Sequence, residues 1–194
     1  GIWPVGFNLD GYKQVLGQQK LWRAYYNTLW YTVVGTVLNI VFTVIAAYPL
    51  SKKYLPNRRF WIFFIIFTMY FSGGLIPTWL TVKDLGLYDS LWALILPSAI
   101  STYNLILLRS YFTSIPDSLV ESVFIDGAGH FTVLFKIFIP LSLPAMAVMI
   151  LYYGVGHWNN YFSAMIYLRT PGKYPLQMIL REMLILGTSL DIKN

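Results

Sequence analysis

Four stretches without a single Asp, Glu, Lys or Arg, Ala24 to Leu50, Phe60 to Val82, Ser90 to Leu108 and Ile137 to Leu168, limit what this chain can become. Each reaches the ~20 residues that a helix rising ~1.5 Å per residue needs to cross a ~30 Å hydrocarbon core. A transmembrane barrel would show short segments alternating in polarity, and these runs do not alternate. The composition agrees, since 57% apolar residues, 11% charged residues and a mean hydropathy of +0.57 lie outside the usual range of a soluble domain. The expectation is an all-α integral membrane protein, one domain over residues 1–194 in a lipid bilayer, with spans at about 24–50, 60–82, 90–108 and 140–162.

Charge orients the spans. Lys52, Lys53, Arg58 and Arg59 form the densest basic group, with no acid between Ser51 and Arg59, so a positive-inside reading puts this loop in the cytoplasm. Lys83 to Asp89 then falls outside, Arg109 to Lys136 inside, and everything after about Arg169 outside. The tally is imperfect, because Lys13, Lys20, Arg23, Arg169, Lys173 and Arg181 then lie outside as well. The net charge of +6 does not imply nucleic acid, for the basic residues are dispersed and form no stripe with stacking aromatics. Trp22, Tyr25 and Tyr26 at one end of the first run, and Tyr48 and Tyr54 at the other, read as headgroup anchors. The chain opens GIWPVGFNLDGYKQVL and stops at DIKN, with no closing element, and is expected to be a portion of something longer.

Several chemistries are excluded. There is no G-x-x-x-x-G-K-[ST] loop, Gly127 with Gly129 and Gly154 with Gly156 each lack the third glycine of a dinucleotide fingerprint, and no serine sits in G-x-S-x-G. His130 and His157 are far apart with no H-E-x-x-H neighbourhood, and there is no cysteine, so no metal site is expected. Two alternatives are kept, an ion-coupled secondary transporter and an intramembrane enzyme; the first would need buried ionisable groups that the four runs lack. An intramembrane enzyme would need a nucleophile that His157 and Asn159 do not supply. No catalytic residue is assigned, and any ATP chemistry belongs to another subunit.

Between the third and fourth runs lies a polar segment expected to form a cytoplasmic hairpin over residues 112–139. Ser114 and Asp117 match a helix-start box, with Pro116 in the first turn, so a short helix is expected from about Ile115 to Ile125. Asp117 and Glu121, four apart, share one face of it. Gly127 and Gly129 permit a reversal, and Phe131 to Phe138 can form a second arm leading to Pro140.

At these residues the chain resembles the membrane-spanning permease subunits of binding-protein-dependent ABC importers, and within them the maltose-type carbohydrate group. That family's cytoplasmic signature, E-A-A, three residues, G, nine residues, I-x-L-P, is matched in spacing by Glu121, Ser122, Val123, Gly127, Ile137, Ile139 and Pro140. Ser122 and Val123 replace the two alanines, Ile139 replaces leucine, and Asp126, Gly127 and Ala128 fit the D-G-A core common in the group. FSGGLIPTWLTVKDLGLYDSLWALILP, SIPDSLVESVFIDGA and YGVGHWNNYFSAMIYL look like the complex-oligosaccharide branch, which imports polysaccharide fragments.

The resemblance implies a type I ABC importer permease fold, of which this chain would hold about helices two to five of six, in a bacterial inner or plasma membrane. It implies a homologous second permease, a cytoplasmic ABC ATPase dimer carrying ATP and Mg, an extracytoplasmic solute-binding protein and a sugar or oligosaccharide, with no cofactor in this chain. Glu121, Ser122, Asp126, Gly127, Ala128, Ile137 and Pro140 would form the ATPase-coupling site, with Glu121 meeting a basic residue. For the solute path the candidates are His157, Trp158, Asn159, Asn160 and Tyr161, whose rings and amides suit sugars but suit the outer interface or helix-to-helix bonding equally well. Asn27, Asn39, Tyr103 and Asn104 are expected to bond between helices, and Gly73, Gly74 and Pro77 to bend the second span.

Overall fold

The computed structural model describes residues 17–191, with side chains to residue 185. Among them every regular element is helical. The opening segment and Lys13 lie outside the described residues.

Helix α1 (Gln19–Ser51) is 33 residues long and unbroken. Its pattern inverts that of a soluble helix. Ala24, Thr28, Gly35, Asn39, Thr43 and Ala47 are buried along one face, while Val33, Val37, Val41 and Ile45 are exposed on the other. With no water to drive burial, small and weakly polar side chains face the neighbouring helices, and large aliphatic ones are left for lipid or further helices. Helix α5 (Thr102–Ser114) and helix α8 (Leu143–Trp158) pack along the small face.

The other three runs are not continuous helices, and each is a bent pair of helices long and apolar enough together for one span. The second consists of α2 (Arg58–Tyr70) and α3 (Leu75–Asp84) at 109° to each other. Gly74 sits between them at φ 89 and ψ −178, a region that only glycine enters freely. This run, expected to bend at its glycines, is broken there. The third run is α4 (Leu91–Ile95), a 3-10 turn Leu96–Ser98 containing Pro97, and then α5 at 53°. Helix α5 passes Leu108 and runs to Ser114; its Arg109 is accommodated because Nε donates to the Leu50 carbonyl at the end of α1.

The fourth run starts in α7 (His130–Leu141), turns 80° at Ser142 and continues as α8, which ends at Trp158 rather than at 162. Within α7 the segment Leu134–Phe138 is π-helical. Pro140 has no N–H and its ring crowds the carbonyl four residues back, and a widened turn before it relieves both. Beyond α8 come α9 (Phe162–Tyr167), a 3-10 turn Pro171–Lys173 and α10 (Leu176–Asp191).

Helix α6 (Asp117–Ile125) starts two residues later than expected, and the helix-start box is corrected too. Pro116 is the cap rather than a first-turn residue, and the Ser114 hydroxyl donates back to the Tyr111 carbonyl as the last residue of α5. The residue before a proline is held extended, so Ile115 cannot be helical and Ser114 cannot reach the α6 amides.

Two apolar clusters stabilise the ends. One gathers Val44, Leu50, Leu108, Phe112, Val120, Val133 and Phe138 around the hairpin, and the other Val82, Ala93, Leu94, Ala164 and Tyr167 at the opposite end. That opposite end is tied by Asp89. Its carboxylate accepts from the Arg169 and Thr170 amides, the Thr170 hydroxyl and the Lys173 ammonium, the last at 2.8 Å. These donors, Lys173 first, hold the Asp89 carboxyl well below the usual carboxylate range.

Candidate functional site

The hairpin is built by a left-handed turn. Asp126 caps α6, Gly127 follows at φ 81, and the Gly127 and Ala128 amides return to the carbonyls of Phe124 and Val123 at 3.0 and 3.1 Å. Gly129 then precedes α7. Val120 is buried beneath the hairpin, while Val123, Phe124, Ile137 and Ile139 pack around the same core. Tyr48 of α1 meets His130 at 3.2 Å, and the rings of Tyr54 and Phe124 also approach His130. Lys53 pairs with Asp117 at 2.8 Å, which holds that carboxyl below its usual value. Lys52 is buried with its ammonium 4.0 Å from the Phe138 ring centre, and burial lowers its pKa. The hairpin is therefore attached to the end of α1.

Its other side is open. Glu121, Ser122, Asp126, Gly127 and Pro140 are exposed, Ala128 is half-buried, and Glu121 has no ion pair among the described residues, unlike Asp117 one turn before it. Ile125 and Phe131, on either side of the turn, are 85% and 80% exposed. A lone carboxylate beside two bare apolar side chains is a surface suited to a partner carrying a cation and an apolar groove.

A second feature lies in the interior, where α1, α5 and α8 meet the break of the third run. Asn39 uses both hydrogens of its amide on the carbonyls of Ser98 and Ala99, at 2.7 and 2.8 Å, and its oxygen lies 2.7 Å from His157 Nε2. With the Asn39 oxygen only able to accept, Nε2 carries the proton. Gly35 makes room for the ring, since a Cβ there would stand 2.5 Å from Nε2. Thr43 donates to the Asn39 carbonyl, so Tyr153 donates to Thr43 at 2.8 Å and accepts from the Ser101 amide at 3.0 Å. The backbone groups exposed by the break are satisfied from other helices, as apolar surroundings require.

Around this network is a cavity of about 500 Å³. Of the five residues expected on the solute path, His157 and Asn160 line it. Trp158 instead packs edge-on against Tyr25, Asn159 bonds the Val155 carbonyl and Gln177, and Tyr161 lies under the Arg181 guanidinium. Asn27 bonds the carbonyls of Gly172 and Tyr174, and Asn39 bonds between helices. Asn39, Tyr103 and Asn104 also line the cavity. Sequence reasoning missed Ser101, Tyr152, Tyr153 and Ser163; an adjacent tyrosine pair in the middle of a lipid-length run was the available signal. Among the described residues no cluster of His, Cys, Asp and Glu could hold a metal ion.

Broken membrane helices around a polar cavity, above a hairpin open to a partner, define a helical membrane permease. The chain belongs to the family described as binding-protein-dependent transport system inner membrane component, whose model matches residues 21–190. It is 43% identical over 188 residues to the polygalacturonan/rhamnogalacturonan transport system permease protein YtcP of Bacillus subtilis (strain 168), covering 97% of this chain and 66% of that one. It is 45% identical over 186 residues to protein LplC of the same organism, covering 96% of this chain and 63% of that one. A crystal structure of a bacterial ABC transporter involved in the import of the acidic polysaccharide alginate superposes with a TM-score of 0.90 at 41% identity, over 93% of this chain and 64% of that chain. The fold is accordingly the type I permease fold of ABC importers. This chain spans about two thirds of the length of these relatives.

Proposed function

We propose that this chain is the central part of a multi-pass subunit of an ATP-driven oligosaccharide importer in the bacterial plasma membrane, supplying helices two to five of six. A second permease would complete the path, a solute-binding protein would deliver the sugar, and an ATPase dimer would hold ATP and Mg. The hairpin couples: Glu121 meets a cation on the ATPase while Ile125 and Phe131 enter an apolar groove, and Gly127, Ile137 and Pro140 shape the arms. The cavity bounded by Asn39, Asn104, His157 and Asn160 receives the sugar. One observation carries this reading: the signature residues lie on a hairpin anchored through Asp117 and Lys52 on one side and left unpaired at Glu121 on the other. Substrates named for relatives, polygalacturonan and alginate, support a polysaccharide-derived solute.

The test is biochemical. The full-length protein, tagged and purified with its neighbours from native membrane, should bring down an ATPase and a second permease in fixed ratio, with hydrolysis stimulated by a loaded solute-binding protein. A complex that lacks an ATPase would sink the proposal.

A further inference from the structure

Two cations converge on one carbonyl at the hairpin end of the bundle. Arg58 at the start of α2 and Arg109 in α5 each donate Nε to the Leu50 carbonyl near the end of α1, both at 3.1 Å. Their terminal nitrogens make no hydrogen bond, and neither guanidinium forms an ion pair, among the described residues. Of the cations adjacent in sequence, Lys52, Lys53 and Arg59, Lys53 alone meets an acid there, Asp117. The end of α1 offers roughly half a unit of negative charge against two full positive ones, and the start of α2 adds about half a positive unit. The pair is left with an excess of more than about one charge, and its members repel each other. Capping α1 accounts for one arginine and not for the second.

Beside the pair is a bare aromatic face. None of the residues of α2 is buried, and Phe60, Trp61, Phe63, Phe64 and Phe67 are exposed. These rings stack on one another along their own helix, Phe60 on Trp61 and Phe64, and Phe63 on Phe67. Together with α3 this helix is long and apolar enough for one span. Arg58 begins it, so the two guanidiniums stand where hydrocarbon gives way to headgroups, with Trp61 one turn further in at the usual depth of an interfacial ring.

We infer that Arg58 and Arg109 hold the phosphodiester of an anionic phospholipid of the phosphatidylglycerol class, whose acyl chains lie along the aromatic face of α2. Guanidinium forks anchored through Nε are fixed in direction, which lowers the rotamer freedom lost on binding, and they present their remaining N–H groups to phosphate oxygens. A zwitterionic lipid would bring an ammonium into this cationic group, so an anionic headgroup is favoured. The site needs the bilayer and is independent of the solute carried.

Lipid retention tests this. The full-length chain in its assembled complex with the ATPase is purified in detergent, stripped of lipid, titrated with phosphatidylglycerol or with phosphatidylethanolamine of the same chains, and read by native mass spectrometry. Wild type should retain phosphatidylglycerol about tenfold more tightly. Arg58→Gln and Arg109→Gln should each weaken that retention about fivefold, the weight of one basic residue at an anionic surface, and leave phosphatidylethanolamine within about twofold of wild type. Arg59→Gln removes the same charge beside the pair without touching the Leu50 carbonyl, and should stay within about twofold. The intact mass in the same spectra shows that each variant is assembled, and Arg58→Lys, which keeps the charge and loses the fork, should fall between wild type and Arg58→Gln. Equal weakening by all three glutamine variants would mean diffuse attraction to a basic loop, and equal retention of the two lipids would mean no headgroup recognition. Displacement of the lipid by millimolar inorganic phosphate would mean a free-anion site, and no retention by the complex would mean that a partner subunit's carboxylate occupies the pair. Each of these four results overturns the inference.

Discussion

His157 and Asn39 lie 118 positions apart in the chain and are joined by a 2.7 Å hydrogen bond that Gly35 permits by having no side chain. Gly35→Ala is expected to push the ring away and so to reproduce His157→Ala. Each should lower the unfolding free energy of the solubilised complex by about 1–3 kcal/mol. The double variant should lose no more than about 0.5 kcal/mol beyond either single one. Additive losses in denaturant titrations would show that the two residues do not act through one bond.

Glu121→Lys should leave the subunit inserted and assembled, because Glu121 supports nothing within the described chain. Against a cationic pocket the reversed charge should reduce solute-stimulated ATP hydrolysis and uptake by about tenfold or more. Asp117→Lys is expected to act differently, through loss of the Lys53 pair and the attachment of the hairpin to α1. Wild-type stimulation in Glu121→Lys proteoliposomes would contradict docking through this residue.

Gly127→Val places a β-branched residue at φ 81, where such residues are outliers, at a cost of about 1–2 kcal/mol. The turn should deform, with transport falling relative to ATP hydrolysis. Ser122→Ala removes one exposed bond to the Leu119 carbonyl and raises helix propensity, so both rates should stay close to wild type. Parallel measurements of the two rates in one preparation settle the matter, and equal behaviour of the two variants would refute the turn geometry.

Asp89 predicts an acid-sensitive clasp. Its folded pKa is depressed, so the stability it contributes is present above the unfolded value of about 3.9 and is lost as pH falls from there through the folded value. Asp89→Asn should therefore be less stable at neutral pH by about 1–2 kcal/mol, with the gap to wild type closing below about pH 4. Thermal unfolding at a series of pH values tests it. A gap that stays constant into acid would mean the carboxylate charge does not hold the Arg169 to Lys173 loop.

The apolar runs, the hairpin and the turn at Gly127 were legible because each depends on local pattern: length without charge, or a glycine at a reversal. The bend of the second run was legible in its glycines, but the break of the third was not. Residues 98–101 are accommodated because Asn39 and Tyr153, on other helices, satisfy the freed backbone groups, and such long-range compensation leaves no local mark. The lining of the cavity was only partly legible for the same reason. His157 to Tyr161 were grouped as neighbours in sequence, but α8 ends at Trp158, so successive residues turn in different directions and two of the five meet the cavity. Ser114 misled because a box that fits the spacing cannot operate across an extended residue before Pro116.

The corner at Ser142 makes α7 and α8 the two arms of a bent lever. Ser142 is fully buried and its amide reaches both Phe138 and Ile139, which stiffens the joint. At ~1.5 Å per residue the arm from His130 to Leu141 is about 18 Å long and the 16-residue α8 about 24 Å. Rotation about the corner would deliver a 1 Å displacement at His130 as roughly 1.3 Å at the His157 end, turned through the same 80°. A movement at the hairpin would thus arrive at the cavity slightly enlarged and turned in direction, with gain and direction both set by where the corner falls in the chain.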